Sequence, residues 1–200
     1  LGGWIKEWRF DFMADNLAYQ EEWRTETHNG EIIYMSPRPA VNHNRVSGNI
    51  YRAFGNYLEG KPCDAFADGT DVHLSENDCV IPDVMIVCNS DIIKDNAIYG
   101  APDLIVEVLS PGTEKRDRGY KKDLYERCGV REYWIVDPVS LTVEVYLLKN
   151  GRYELDEVYR IFPDYIEFHP NEKARYKNEV PVSLYDDFSI PLTKIFYRVV

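Results

Sequence analysis

Apolar and polar positions divide this chain into segments of contrasting period. Residues 104–109, Leu-Ile-Val-Glu-Val-Leu, form an apolar run interrupted by one acid, Glu107. Asp103 stands four residues before it, and on an element of period two both carboxylates point to one side. A run this apolar predicts a central strand covered on both faces. Residues 80–87, Val-Ile-Pro-Asp-Val-Met-Ile-Val, predict a second such strand, with Asp83 on the side of Ile81 and Met85. Pro82 cannot donate to a ladder and belongs at the strand's start or at a bulge.

Two stretches carry a helical period instead. Between 42 and 58 the apolar positions are Val46, Ile50, Ala53, Phe54, Tyr57 and Leu58, with Asn42 as N-cap and His43 and Arg45 in the first turn. Ser110-Pro111-Gly112-Thr113 is a turn that leads into a helix over 114–128, ended by Gly129. On a wheel of about 100° per residue, Tyr120, Leu124 and Cys128 define its inward arc. Asp117 falls inside that arc, Lys121 at its edge and Tyr125 just beyond, while Lys122 turns towards solvent. The helix thus carries Asp117 and Lys121 towards the sheet.

The remaining segments predict a short helix over 18–26, a turn at His28-Asn29-Gly30, a strand over 31–35 and a loop over 36–39. Residues 65–74 alternate loosely, with Asp71 and His73 on one side. Strands follow over 132–137, 141–148 and 152–159, the last pair joined by the hairpin signal Asn150-Gly151. Residues 162–177 are mixed and take no assignment, and residues 180–184 and 190–200 return to pack on the sheet. The chain lacks an initiator Met and crowds Trp4, Trp8, Phe10 and Phe12 together. Met13 offers a natural start, which leaves 1–12 as upstream or foreign sequence. With no repeat or linker, residues 1–200 are expected to form one domain.

Composition narrows the classes. Two hundred residues with 44% hydrophobic content suffice for one sizeable core. No apolar run approaches the roughly eighteen residues of a membrane span, and no secretory leader is legible. The four cysteines, Cys63, Cys79, Cys88 and Cys128, show no CxxC pair and read as reduced thiols of a cytoplasmic protein. A net charge of −11 argues against non-specific coating of nucleic acid. The charge is unevenly spread, however: residues 114–132 hold seven basic against five acidic side chains, and residues 153–187 hold four against nine.

Three inward-facing charges need a reason, because burying an ionised group is costly unless it is paired or binds a metal. Asp83 and Glu107 on neighbouring strands supply the oxygen ligands that a hard divalent cation takes. Lys121 can orient or help deprotonate a water, or balance charge on a phosphate. That set suits phosphodiester hydrolysis. His28, His73 and His169 show no metal-ligand spacing.

The ordered motifs IPDVMIV, PDLIVEVLSPGT, RDRGYKKDLYERCGV and REYWIVDP resemble the Uma2 family (domain of unknown function 820) of restriction-type endonucleases. That family lies within the PD-(D/E)xK nuclease superfamily, and the resemblance covers roughly residues 15–195. It implies an α/β fold of restriction-endonuclease type, a mixed central sheet flanked by helices. It places the superfamily's first acid on Asp83 and its second on Glu107, with the Val108 carbonyl as backbone ligand. Leu109 stands where the lysine ordinarily falls. The lysine of Uma2-like sequences, four residues after an Asp on the next helix, corresponds to Lys121 after Asp117. The resemblance also brings Glu31 and His43 to the site, with Asp103 and Asp117 in support. Expected cofactors are Mg²⁺ or Mn²⁺, and the expected substrate is nucleic acid, DNA in preference to RNA. A homodimer is expected, since cutting two strands suits two sites. The alternative is a catalytically silent nuclease fold that serves binding or assembly.

Overall fold

The apolar runs form strands, and the strands assemble into a large central sheet with a smaller one beside it. The computed structural model describes residues 24–35, 39–162, 166 and 176–199. The described part opens with the hairpin β1 (Thr25–His28) and β2 (Glu31–Tyr34), then α1 (Val41–Leu58), β3 (Asp64–Ala67), β4 (Val72–Ser75), β5 (Asp78–Val80) and β6 (Val84–Val87). After β7 (Ile98–Tyr99) and β8 (Leu104–Val108) comes a composite helix: α2 (Glu114–Arg116), a π-helical turn (Asp117–Lys121) and α3 (Lys122–Cys128). The hairpins of β9 (Glu132–Asp137), β10 (Thr142–Lys149) and β11 (Arg152–Arg160) follow. The described part closes on β12 (Glu179–Pro181), β13 (Ser189–Pro191) and α4 (Leu192–Ile195).

The central sheet runs β11-β10-β9-β8-β6-β3 and is mixed, with β8 and β9 parallel and the other pairs antiparallel. The composite helix makes the crossover that a parallel pair requires. Both faces of the sheet are covered. Val84, Ile86, Leu104 and Val106 pack towards α1 and α4, where Val46, Ile50, Phe54 and Ile195 are fully buried. Met85, Val87 and Ile105 pack the other way, against Leu124 and Tyr125 of α3 and Val72 and Val80 of the smaller sheet. Each such side chain contributes about 1.5–3 kcal/mol when fully buried. The smaller sheet runs β2-β1-β5-β4-β7.

Several expectations are revised. The loose alternation over residues 65–74 resolves into two strands, β3 and β4, which belong to different sheets with a turn between them. Residues 80–87 divide in the same way around Ile81-Pro82-Asp83, so Pro82 lies outside any ladder. α1 begins one residue earlier than Asn42, and Ala40 stands at its N-cap without a side-chain bond. The short helix over 18–26 is overturned at its described end, where Thr25 and Glu26 are strand residues; its remainder lies outside the described residues. Also outside them lie residues 1–12, Met13, most of the 36–39 loop, most of 162–177 and His169.

Cysteine usage is also corrected. Cys63 and Cys88 form a disulfide, because β3 and β6 pair antiparallel with Asp64 opposite Val87 and the next step outward sets the two cysteines face to face. Cys79 and Cys128 are free. The thiol argument for a cytoplasmic location therefore falls away. Among the described residues no helix is long and apolar enough to cross a membrane.

Candidate active site

Strand pairing builds the floor of the site. β6 and β8 run antiparallel with Val84 opposite Val106, so one step further brings Asp83 opposite Glu107. Glu107 points to the α3 side of the sheet and is only 3% exposed. Asp83 sits just before β6, where Val108 N–H donates to its Oδ2 at 2.7 Å. The composite helix supplies the rest. Its π-helical turn inserts an extra residue per turn, a feature frequent at functional sites. The inward arc expected at Tyr120, Leu124 and Cys128 thereby moves to Lys121, Leu124 and Tyr125, which are buried together with Asp117.

Lys121 is the hub. Its Nζ lies 2.8 Å from Glu26 Oε1, 3.0 Å from Glu107 Oε1 and 4.0 Å from Asp117 Oδ1. Tyr125 donates its hydroxyl to the same Glu107 oxygen at 2.6 Å. Glu26 is fixed from behind: Ile81 N–H donates to Oε1 at 2.9 Å, and His28 Nε2 lies 2.9 Å from Oε2. His28 stacks on Tyr120, whose hydroxyl donates to Asp78. His43, in the first turn of α1, places Nε2 3.2 Å from Asp83 Oδ2.

These contacts set the charges. Burial alone would raise Glu26, but the Lys121 charge and the bonds from His28 and Ile81 hold it down at about 2. Burial raises Glu107 well above the carboxylate range, against the pull of Lys121 and with help from Asp117, Asp83 and Glu26. Asp117 is pushed up to about 6, again chiefly by burial. Burial would lower the Lys121 amine, yet Glu107, Glu26 and Asp117 outweigh it and raise it, so the amine stays charged. Burial likewise opposes charge on His43, and Asp83 overcomes it to raise the imidazole.

Asp83, Glu107, Asp117, Lys121 and His43 all line one cavity of about 270 Å³, with the Arg24–Asp68 pair also on its wall. The sequence-predicted residues separate accordingly. Asp83, Glu107, Lys121, His43 and Asp117 come together. Glu31 does not: it is exposed at the start of β2, opposite His28. Asp103 lies at the far end of β8 from Glu107, where it accepts from Cys88 N–H and Arg131. Its side chain orders the β6 and β9 ends rather than the cavity. Val108 contributes its N–H to Asp83.

Glu26 and Tyr125 were missed. Tyr125 was misplaced by the ideal wheel. Glu26 had a signal: Asn29-Gly30 before a strand is a hairpin turn, and both residues have the positive φ (50° and 83°) that a type I′ turn needs. Reading that turn as a hairpin makes residues 25–28 its first strand and turns Glu26 and His28 to one face.

The donor set fits a hard divalent cation. Asp117 Oδ1 is buried with no hydrogen-bond donor, and burial, aided by the neighbouring carboxylates, drives Glu107 and Asp117 towards protonation. Oxygen donors of this kind suit Mg²⁺ or Mn²⁺. Among the described residues, no three side chains of the cavity bring ligand atoms within 4.8 Å of one another.

Comparison with known proteins agrees with this architecture. The sequence model of the Uma2 family, described as "Putative restriction endonuclease", matches residues 13–172. The chain is 30% identical over 131 residues to "Uncharacterized protein slr1290" of Synechocystis, spanning 63% of this chain and 68% of that protein. It is also similar in fold to the crystal structure of a "putative nuclease belonging to DUF820" from Anabaena variabilis. That match has a TM-score of 0.66 at 20% identity and covers 88% of this chain and 91% of the other. With the family profile spanning most of its length and the same fold in a solved relative, the chain belongs to the Uma2 family.

Proposed function

We propose that this protein is a divalent-metal-dependent nuclease that hydrolyses nucleic-acid phosphodiesters, DNA in preference to RNA. The observation that carries the reading is the opposition of Asp83 and Glu107 across β6 and β8, with Lys121 at 3.0 Å from Glu107, at the wall of one cavity. Asp83, Glu107 and the Val108 carbonyl would hold Mg²⁺ or Mn²⁺. Such an ion polarises a phosphoryl oxygen and lowers the pKa of a bound water.

The chain's own residues do the rest. Lys121, kept charged by its three acids, acts as an electrostatic partner for a phosphate oxygen rather than as a base. Glu26 and Glu107 hold the ammonium in place, and Tyr125 orients Glu107. His43 restrains Asp83. The family description and the solved neighbour's description support nuclease activity in general.

Incubation with supercoiled DNA, single-stranded DNA and RNA in Mg²⁺, Mn²⁺ or chelator tests this directly. Cleavage should need the metal and fall about 100-fold or more in Glu107→Gln. Substrates left intact by the wild-type protein with every cation would sink the proposal. A dimer would present two such sites to a duplex, and sedimentation velocity reads it. A second reading, a silent binding or assembly module, draws on the −11 charge and on Lys121 already being satisfied by Glu26 and Glu107. Calorimetry with Mn²⁺ separates the two, because a silent site gives no Asp83- or Glu107-dependent heat.

A further inference from the structure

The back of the smaller sheet brings together three side chains that the nuclease chemistry does not use. β4 and β5 pair with His73 directly across from Cys79, and Asp71 stands two residues before His73, the spacing that shares a side. The Asp71 carboxylate, the His73 imidazole and the Cys79 thiol all lie within 4.8 Å of one another, and among the described residues they are the group of three that does so. Cys79 also pairs across to Thr27 of β1. This face is therefore the reverse of the one from which Glu26 and His28 reach Lys121.

Geometry and chemistry agree on an occupant. Cys79 Sγ is 3.9 Å from His73 Nε2. Sulfur and nitrogen ligands at about 2.3 and 2.0 Å from a tetrahedral zinc ion sit roughly 3.5 Å apart, so the pair has to close by only about 0.4 Å. The imidazole plane is already set by stacking on Tyr99, with ring centroids 4.7 Å apart and planes 8° from parallel. Asp71 is exposed and the other two are half-buried, which leaves a path for an ion from solvent.

We propose that Asp71, His73 and Cys79 form a second metal site, specific for a borderline transition-metal ion of the zinc type, with its fourth position open to water. A thiolate and an imidazole select such an ion over magnesium, in contrast to the oxygen-rich cavity on the other side of the sheet. Binding exchanges the Cys79 thiol proton for the metal–sulfur bond, and that proton passes to solvent. A filled site clamps the β4–β5 hairpin, part of the sheet that presents Glu26.

Cobalt is the probe. The metal-free full chain, its Cys63–Cys88 disulfide intact, is titrated with Co²⁺ and then with Zn²⁺. A thiolate-to-cobalt charge-transfer band should grow to one equivalent, be erased by Zn²⁺, and persist in Cys128→Ser and in Glu107→Gln. Cys79→Ser should abolish the band and weaken Zn²⁺ about 100-fold or more. The exposed Asp71→Asn, which leaves the core untouched, should weaken it about 10-fold or more. Wild-type protein that takes up no cobalt, a band that survives Cys79→Ser, or one lost in Cys128→Ser would overturn the assignment.

Discussion

Helix α1 and the composite helix over 114–128 cover opposite faces of one sheet and bury different kinds of side chain. α1 sets Val46, Ile50, Phe54 and Leu58 inward at a constant spacing of four, with regular α geometry throughout. The composite helix buries Asp117 and Lys121 before it buries Leu124 and Tyr125, and it interposes a π-helical turn over Asp117–Lys121. A packing helix can follow its period. A helix that must aim an ammonium at acids on two sheets is re-phased to do so, and its buried charges hold only because each has a partner.

The largest test of that contrast compares Lys121→Met with Phe54→Ala. Leaving Glu26 and Glu107 buried without their cation should cost about 3–5 kcal/mol at pH 7. Phe54→Ala should cost a similar amount, about 3–5 kcal/mol, through its cavity. Urea denaturation at pH 5 separates the mechanisms: the Lys121 loss should shrink as the acids protonate, and the Phe54 loss should not. Equal losses for Lys121→Met at both pH values would mean that packing, not charge, governs the composite helix.

The pH profile of the wild-type protein sharpens the same point. Asp117 is raised to about 6 in the fold from an ordinary value of 3.8. A raised acid contributes stability below its unfolded value and loses it as pH rises through the folded one. The metal-free protein should therefore lose stability between about pH 4 and 7, by up to about 3 kcal/mol for this group. Glu26 has the opposite sign: held at about 2, its contribution is present above 4.5 and lost as pH falls through 2. Denaturation curves across this range should flatten in Asp117→Asn. A profile identical to wild type would remove Asp117 from the charge balance of the cavity.

The smallest effect concerns backbone. A Cβ at Gly48 in α1 or at Gly119 in the π-helical turn would meet nothing within 4 Å. Each change to Ala should stabilise by about 0.5–1 kcal/mol. A gain in melting temperature at Gly48 with a loss at Gly119 would show that the re-phased turn depends on glycine.

Much of this was legible beforehand, for a definable reason. α1, the extent of the composite helix and the β9–β11 meander followed from period and turn signals. Asp83, Glu107 and Lys121 were conspicuous because charges on apolar faces need partners. Buried acids are not always functional, though: Glu132 is fully buried and, among the described residues, accepts its hydrogen bonds from Trp134 and Ser183. Glu31 was brought to the site by the family resemblance alone, and Glu26, five residues away, was hidden because residues 18–26 read as a helix rather than as the first strand of the Asn29-Gly30 hairpin. Asp103 shares Glu107's parity but not its end of the strand, and a sheet separates its two ends as effectively as its two faces.

The chain's own order of residues determined its elements, its inward charges and its family, since period, capping and turn chemistry act over a few neighbouring positions. Tertiary structure alone decided which groups meet. Lys121 finds Glu26 across 95 residues, Cys63 finds Cys88 across two adjacent strands, and His73 finds Cys79 across a hairpin. Such meetings depend on strand register, and register is set by the simultaneous packing of both sheet faces rather than by any local run of side chains.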